Sequence, residues 1–137
     1  MKLALTILLA GLLGCATFER NANSAMGAMD IAVTLAQTAW HRYVSTGRPS
    51  AAEIEKVKQY FASYQIAKTA FASAMQAYHD SQSKDPNDVN MMLNNLNYAA
   101  IAVVDLVVLW ISPEEKPAVH KAQKQMLENM PHRYTRH

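Results

Sequence analysis

The sequence predicts an all-α fold: an up-and-down bundle of three long helices plus a short C-terminal helix. Three observations predict it. Apolar residues recur at spacings of three and four over three long stretches, the period of a helix with one buried face. Two Ser-x-x-Glu sequences, at Ser50 and Ser112, have the form of helix capping boxes. The chain holds only 4 Gly and 5 Pro, while Ala, Gln, Asn and Met are frequent, a helical rather than a strand composition.

The first helix is expected from about Phe18 to Val44. Met26, Met29, Val33, Ala36, Trp40 and Tyr43 share one face. Beside them run Ala22, Ala25, Ala32 and Ala39, small enough to let a neighbouring helix approach closely. Thr46-Gly47-Arg48-Pro49 ends the segment. The second helix opens at the Ser50–Glu53 box and runs to about residue 81. Its stripe is Ile54, Val57, Phe61, Tyr64, Lys68, Phe71, Met75 and Tyr78. Lys68 is the one charge in it. Its stem is expected to pack while its amine reaches water.

The third helix starts at Asp85-Pro86, an N-cap followed by a first-turn proline. Val89, Met92, Leu96, Ala99, Val103, Leu106 and Trp110 form its stripe. From Tyr98 to Ile111 the sole charge is Asp105, and Ile101 and Val108 lie opposite the stripe. A helix apolar on two sides needs two partners. The stretch is short for a membrane span and carries an acid at its centre, so a helix buried in protein is expected. Tyr98, Ile101, Asp105 and Val108 are the expected interaction surface. Asp105 is expected to pair with Lys68, Arg42 or a tyrosine hydroxyl. The fourth helix opens at Ser112–Glu115, with Pro117 delaying its regular start. Val119, Ala122, Met126 and Met130 give it a narrow apolar edge. The basic end, 131–137, is expected to be loose.

Half of the 137 residues are apolar, enough for a single core. Apart from Lys2, 12 Lys and Arg balance 11 Asp and Glu, which argues against a nucleic-acid partner. The five histidines show no i, i+4 pair, and the chain has one cysteine, so no metal site is expected. The methionines fall mostly on core stripes, where they act as filler rather than copper ligands. No nucleophile elbow, phosphate loop or carboxylate dyad is present, and no catalytic residue or cofactor is assigned. The expectation is a non-enzymatic protein.

The position of the cysteine is informative. Lys2 precedes an uncharged stretch, LALTILLAGLL, which ends in Leu12-Leu13-Gly14-Cys15. This resembles the lipobox signal of bacterial lipoproteins. The resemblance covers the first fifteen or sixteen residues and says nothing about the fold of the rest. It implies cleavage between Gly14 and Cys15, removal of residues 1–14 and covalent lipid on Cys15. Residues 15–137 would then form a membrane-tethered helical domain. Two or three acyl chains make such attachment stable. In the sorting rule that the resemblance brings, Asp after the cysteine retains a lipoprotein in the inner membrane. Ala16 therefore implies the outer membrane, facing the periplasm, in a Gram-negative host. An ordinary secretory signal cut near Ala16 is the simpler alternative.

Three functions are compatible with these features. One is a cell-envelope module that binds an envelope protein or self-associates through the surface near Tyr98 to Ile111. The second is a phage- or plasmid-type small lipoprotein acting in lysis or superinfection exclusion. The third is a bundle holding a hydrophobic ligand between helices, beside its tyrosines and tryptophans.

Overall fold

A computed structural model describes the backbone of residues 2–130 and the side chains of residues 16–130. The surroundings of Gly14, the side chain of Cys15 and the stretch 131–137 lie outside the described residues. Among the described residues the protein is all-helical, with four helices and no strand. They are α1 (Lys2–Thr46), α2 (Ala51–Asp80), α3 (Asn87–Val108) and α4 (Lys116–Glu128).

α1 begins well before Phe18, because the Leu- and Ala-rich stretch upstream is itself a strong helix former without a break. It stops at Gly47, where an added Cβ would meet the Tyr43 carbonyl oxygen at 2.8 Å. The first capping box forms as expected. The Glu53 amide donates to Ser50 Oγ at 3.1 Å, and the Ser50 amide donates to Glu53 Oε2 at 2.7 Å. Ser50→Ala is expected to lower stability by about 0.5–2 kcal/mol, read as a lower urea midpoint. An unchanged midpoint would mean the box contributes nothing here.

α2 ends under Lys84, whose φ of 48° is in the left-handed region. Its amine donates to the Tyr78 and His79 carbonyls at 3.0 and 2.6 Å, satisfying orphan acceptors of the last turn. Asp85 is not the N-cap of α3: Pro86 holds that position without a side-chain cap, α3 starts one residue later than expected, and Asp85 Oδ1 accepts from the Asn87 amide at 3.0 Å just before it.

The second Ser-x-x-Glu sequence behaves differently. No side-chain cap forms on α4, which starts at Lys116 with Pro117 in its first turn. Ser112 Oγ instead donates weakly to Glu115 Oε2 at 3.4 Å, and the other oxygen of Glu115 accepts from Arg42 at 2.6 Å. The Glu115 amide donates to the Ser112 backbone carbonyl at 3.1 Å, a tight turn that takes the place of the side-chain cap.

α3 is the shared helix. It packs against α2, α1 and α4, while the backbones of α1 and α2 approach each other much less extensively. Eight α3 residues are buried: Val89, Leu93, Leu96, Ala100, Val103, Val104, Leu106 and Val107. This is wider than the single stripe read from the spacing. The additional line of Leu93, Ala100, Val104 and Val107 is the second buried side that the apolar stretch requires. α3 is long and apolar enough to cross a membrane by length and composition. Its central place among the other helices accounts for that character without a bilayer. On α1, Ala22, Ala25, Ala32, Ala36 and Ala39 are all buried, with Met29, Val33 and Trp40 among them. The alanines allow the close approach expected of them.

Candidate functional site

The space left between α1 and α2 is a cleft, of about 430 Å³, and long side chains cross it. At one end Phe18 stacks on Tyr78, ring centroids 4.9 Å apart, and His79 Nδ1 lies 3.1 Å from Glu19 Oε1. At the other end Asp30 Oδ1 accepts from Lys68 Nζ at 2.8 Å and from the Tyr64 hydroxyl at 3.0 Å. Between these cross-links lie Met26, Phe71 and Met75. The heptad spacing of α2 explains the arrangement. Val57, Tyr64, Phe71 and Tyr78 repeat every seven residues and are buried. Phe61, Lys68 and Met75 repeat beside them and are only half-buried. The second line borders the cleft instead of a closely packed helix.

The expectation for Lys68 needs one refinement. Its stem packs, the side chain as a whole is one-third exposed, and its amine is held by a carboxylate rather than by water alone. Spacing alone missed Asp30, which lies beside the α1 stripe. A signal was present: Asp30 is the only acid between Glu19 and Glu53, and Lys68 the only charge in the α2 stripe.

Tyr64 is fully buried, and its hydroxyl is held well above the ordinary tyrosine range, first by burial and then by the Asp30 carboxylate. The folded state thus retains a proton that the unfolded chain releases above about pH 10. The contribution of Tyr64 is intact below that pH and is lost as pH climbs past it. In a phenolate absorbance titration, at least one of the six tyrosines, Tyr64, should ionise only with unfolding. Asp30→Asn removes the charge serving both donors. It should cost about 1–2 kcal/mol, the lysine share being small because that pair is partly solvated. An alkaline transition unchanged in Asp30→Asn would contradict this role.

The expected interaction surface is corrected in part. Tyr98 is exposed, but Ile101 and Val108 are half-buried and packed against the core. Asp105 is exposed and accepts from the Gln123 side-chain amide of α4 at 2.8 Å. Its partner is therefore neither a cation nor a tyrosine. Lys68 is engaged by Asp30, and Arg42 by Glu115. The reason is angular: Asp105 falls on the outward line Met91, Asn95, Tyr98, Ala102, Asp105 and Leu109, every member of which is exposed. The tryptophans do not line the cleft: Trp40 and Trp110 contact each other at 5.7 Å, near the Arg42–Glu115 pair.

Among the described residues no group of three His, Cys, Asp or Glu side chains is placed to hold a metal ion. No family model, curated protein or solved structure matches this chain.

Proposed function

We propose that this chain is a lipid-anchored cell-envelope protein, non-enzymatic, that presents a protein-binding face along the α2–α3 seam. The observation that carries the face is the outward line of α3. It exposes Met91 by 51%, Tyr98 by 61% and Leu109 by 69%, on the helix that packs against the other three. Alongside lies the α2–α3 groove, bordered by Ala70, Ser73 and Ala77 and by Asp88 and Met91. Ile66, 71% exposed, stands on the same α2 line as Ala70, Ser73 and Ala77. Large apolar side chains grouped on one seam, separated by polar Asn95 and Asp105, have the make-up of a contact surface.

The geometry of the helices fits an up-and-down bundle standing on its lipid. α1 meets α2 at Glu19–His79 and again at Asp30–Lys68, so the two run in opposite directions. α1 meets α4 at Arg42–Glu115, and Gly27 and Ala28 share a groove with Gln125 and Asn129, so these also oppose. The Trp40–Trp110 contact then lies some 25 residues of helix from Cys15, about 37 Å above a membrane-held N-terminus. In a lipid-tethered chain the seam would run from near the anchor, where Tyr78 of its groove meets Phe18, toward that far end.

The test is photocrosslinking from position 98 in the native envelope. A discrete adduct is expected, lost with Ile66→Lys or Met91→Lys while helicity is unchanged. Surface changes of this kind normally move stability by no more than about 0.5 kcal/mol. No adduct, or one indifferent to both lysines, would overturn the binding face and leave a self-contained bundle.

A further inference from the structure

The α1–α2 cleft has features that the seam lacks, and it faces a different side of α2. We infer that it is a binding site for a single-chain anionic amphiphile, the chemistry shared by a fatty acid and a lysophospholipid. The inference stands independently of the α2–α3 binding face.

Four observations carry it. The first is size: about 430 Å³ lies within the range of small-molecule sites. The second is shape. The cleft is a trough between two helices that approach each other only sparsely, crossed at each end by side-chain pairs. From Lys68 to His79 is eleven residues of α2, about 16 Å, the length of a medium acyl chain rather than of a compact ring system. The third is the lining. Met26, Phe71 and Met75 present an apolar surface whose thioethers adapt to a flexible chain. Asn23 and Gln76 add polar groups at its margin.

The fourth is charge. Lys68 is the only Lys or Arg among the lining residues, and it stands at one end. Asp30 takes one of the three donors of its ammonium, and the side chain is one-third exposed. The remaining donors can take a carboxylate or phosphate oxygen. Each end carries a carboxylate, Asp30 beside Lys68 and Glu19 beside His79, but only the Lys68 end also has a Lys or Arg with donors to spare. The head group therefore sits at Lys68, and the chain runs past Phe71 and Met75 toward His79.

The experiment uses the full chain reconstituted in phosphatidylcholine vesicles. The probes are a diazirine-labelled laurate and the matching labelled alcohol, with cross-links mapped by peptide mass spectrometry. Laurate is expected to label the α1 peptide around Met26 and the α2 peptide around Met75, and unlabelled laurate should compete. Ala72→Trp fills the trough from an exposed lining position and should cut labelling there at least tenfold, with both probes. Lys68→Gln should cut laurate labelling similarly and leave the alcohol unchanged. Circular dichroism confirms that each variant keeps its helices. Mass spectrometry of lipid extracted from the protein as isolated separates the two sources, since a fatty acid and a lysophospholipid differ in mass. Labelling confined to residues 2–15, or indifferent to Ala72→Trp, would overturn the site. Equal loss of acid and alcohol in Lys68→Gln would overturn the anionic head.

Discussion

Cys15→Ser is expected to give an all-or-none result: no lipid on the protein, and accumulation of precursor that keeps residues 1–14. The motive is the run from Lys2 through the uncharged stretch to Leu12-Leu13-Gly14-Cys15. A serine hydroxyl cannot take the place of the thiol as acceptor of the lipid in this class, and cleavage depends on that lipid. The change replaces one sulfur by oxygen, so the domain should remain helical. The readout is a shift in gel mobility together with loss of label from radioactive palmitate. Mature protein of normal size, still attached to the membrane, would show that a different signal operates. The apolar segment is about half the length needed for a stable span. Lipid is therefore what separates a durable attachment from a marginal one.

Leu96→Ala is expected to have the largest effect on stability, about 2–5 kcal/mol. Leu96 is fully buried in α3, the helix that the other three share. Truncating it removes apolar contacts and leaves a void that packed helices can only partly refill. Domains of this size commonly have only 5–15 kcal/mol of stability, so the variant should sit near the edge of folding. Tyr98→Lys, two positions away on the outward line, is the internal control and should change stability by no more than about 0.5 kcal/mol. The two differ in which face of one helix they touch. Urea unfolding followed by circular dichroism measures both. Equal midpoints for the two variants would contradict the placement of α3 at the centre.

The helices were legible because their information is local. Spacings of three and four, the Ser50–Glu53 box and Thr46-Gly47-Arg48-Pro49 each act within a few residues. The second capping box failed although its four residues have the right identities. Its acid was claimed by Arg42, 73 positions away, and no local rule contains that contact. Asp105 misled for a related reason. A carboxylate amid apolar residues reads as buried, yet on a helix flanked by three neighbours one line still faces outward, and Asp105 falls on it. The breadth of burial on α3 was legible only as a need for a second partner.

The cleft was legible only as two isolated charges, Asp30 and Lys68. Pairing them requires knowing that α1 and α2 pass side by side. Met26 and Met75 read correctly as apolar stripe residues, but spacing does not distinguish a methionine sealed in a core from one beside a trough. That difference is set by how far apart two helices stand.

The most direct test of the account is the mass of the N-terminal peptide of the protein isolated from its membrane. The predicted result is a peptide that begins at Cys15 and carries a diacylglyceryl group on its sulfur, with or without a further acyl chain on its amine. A peptide that begins at Ala16 or beyond, or an unmodified Cys15 in a membrane-attached protein, would contradict it.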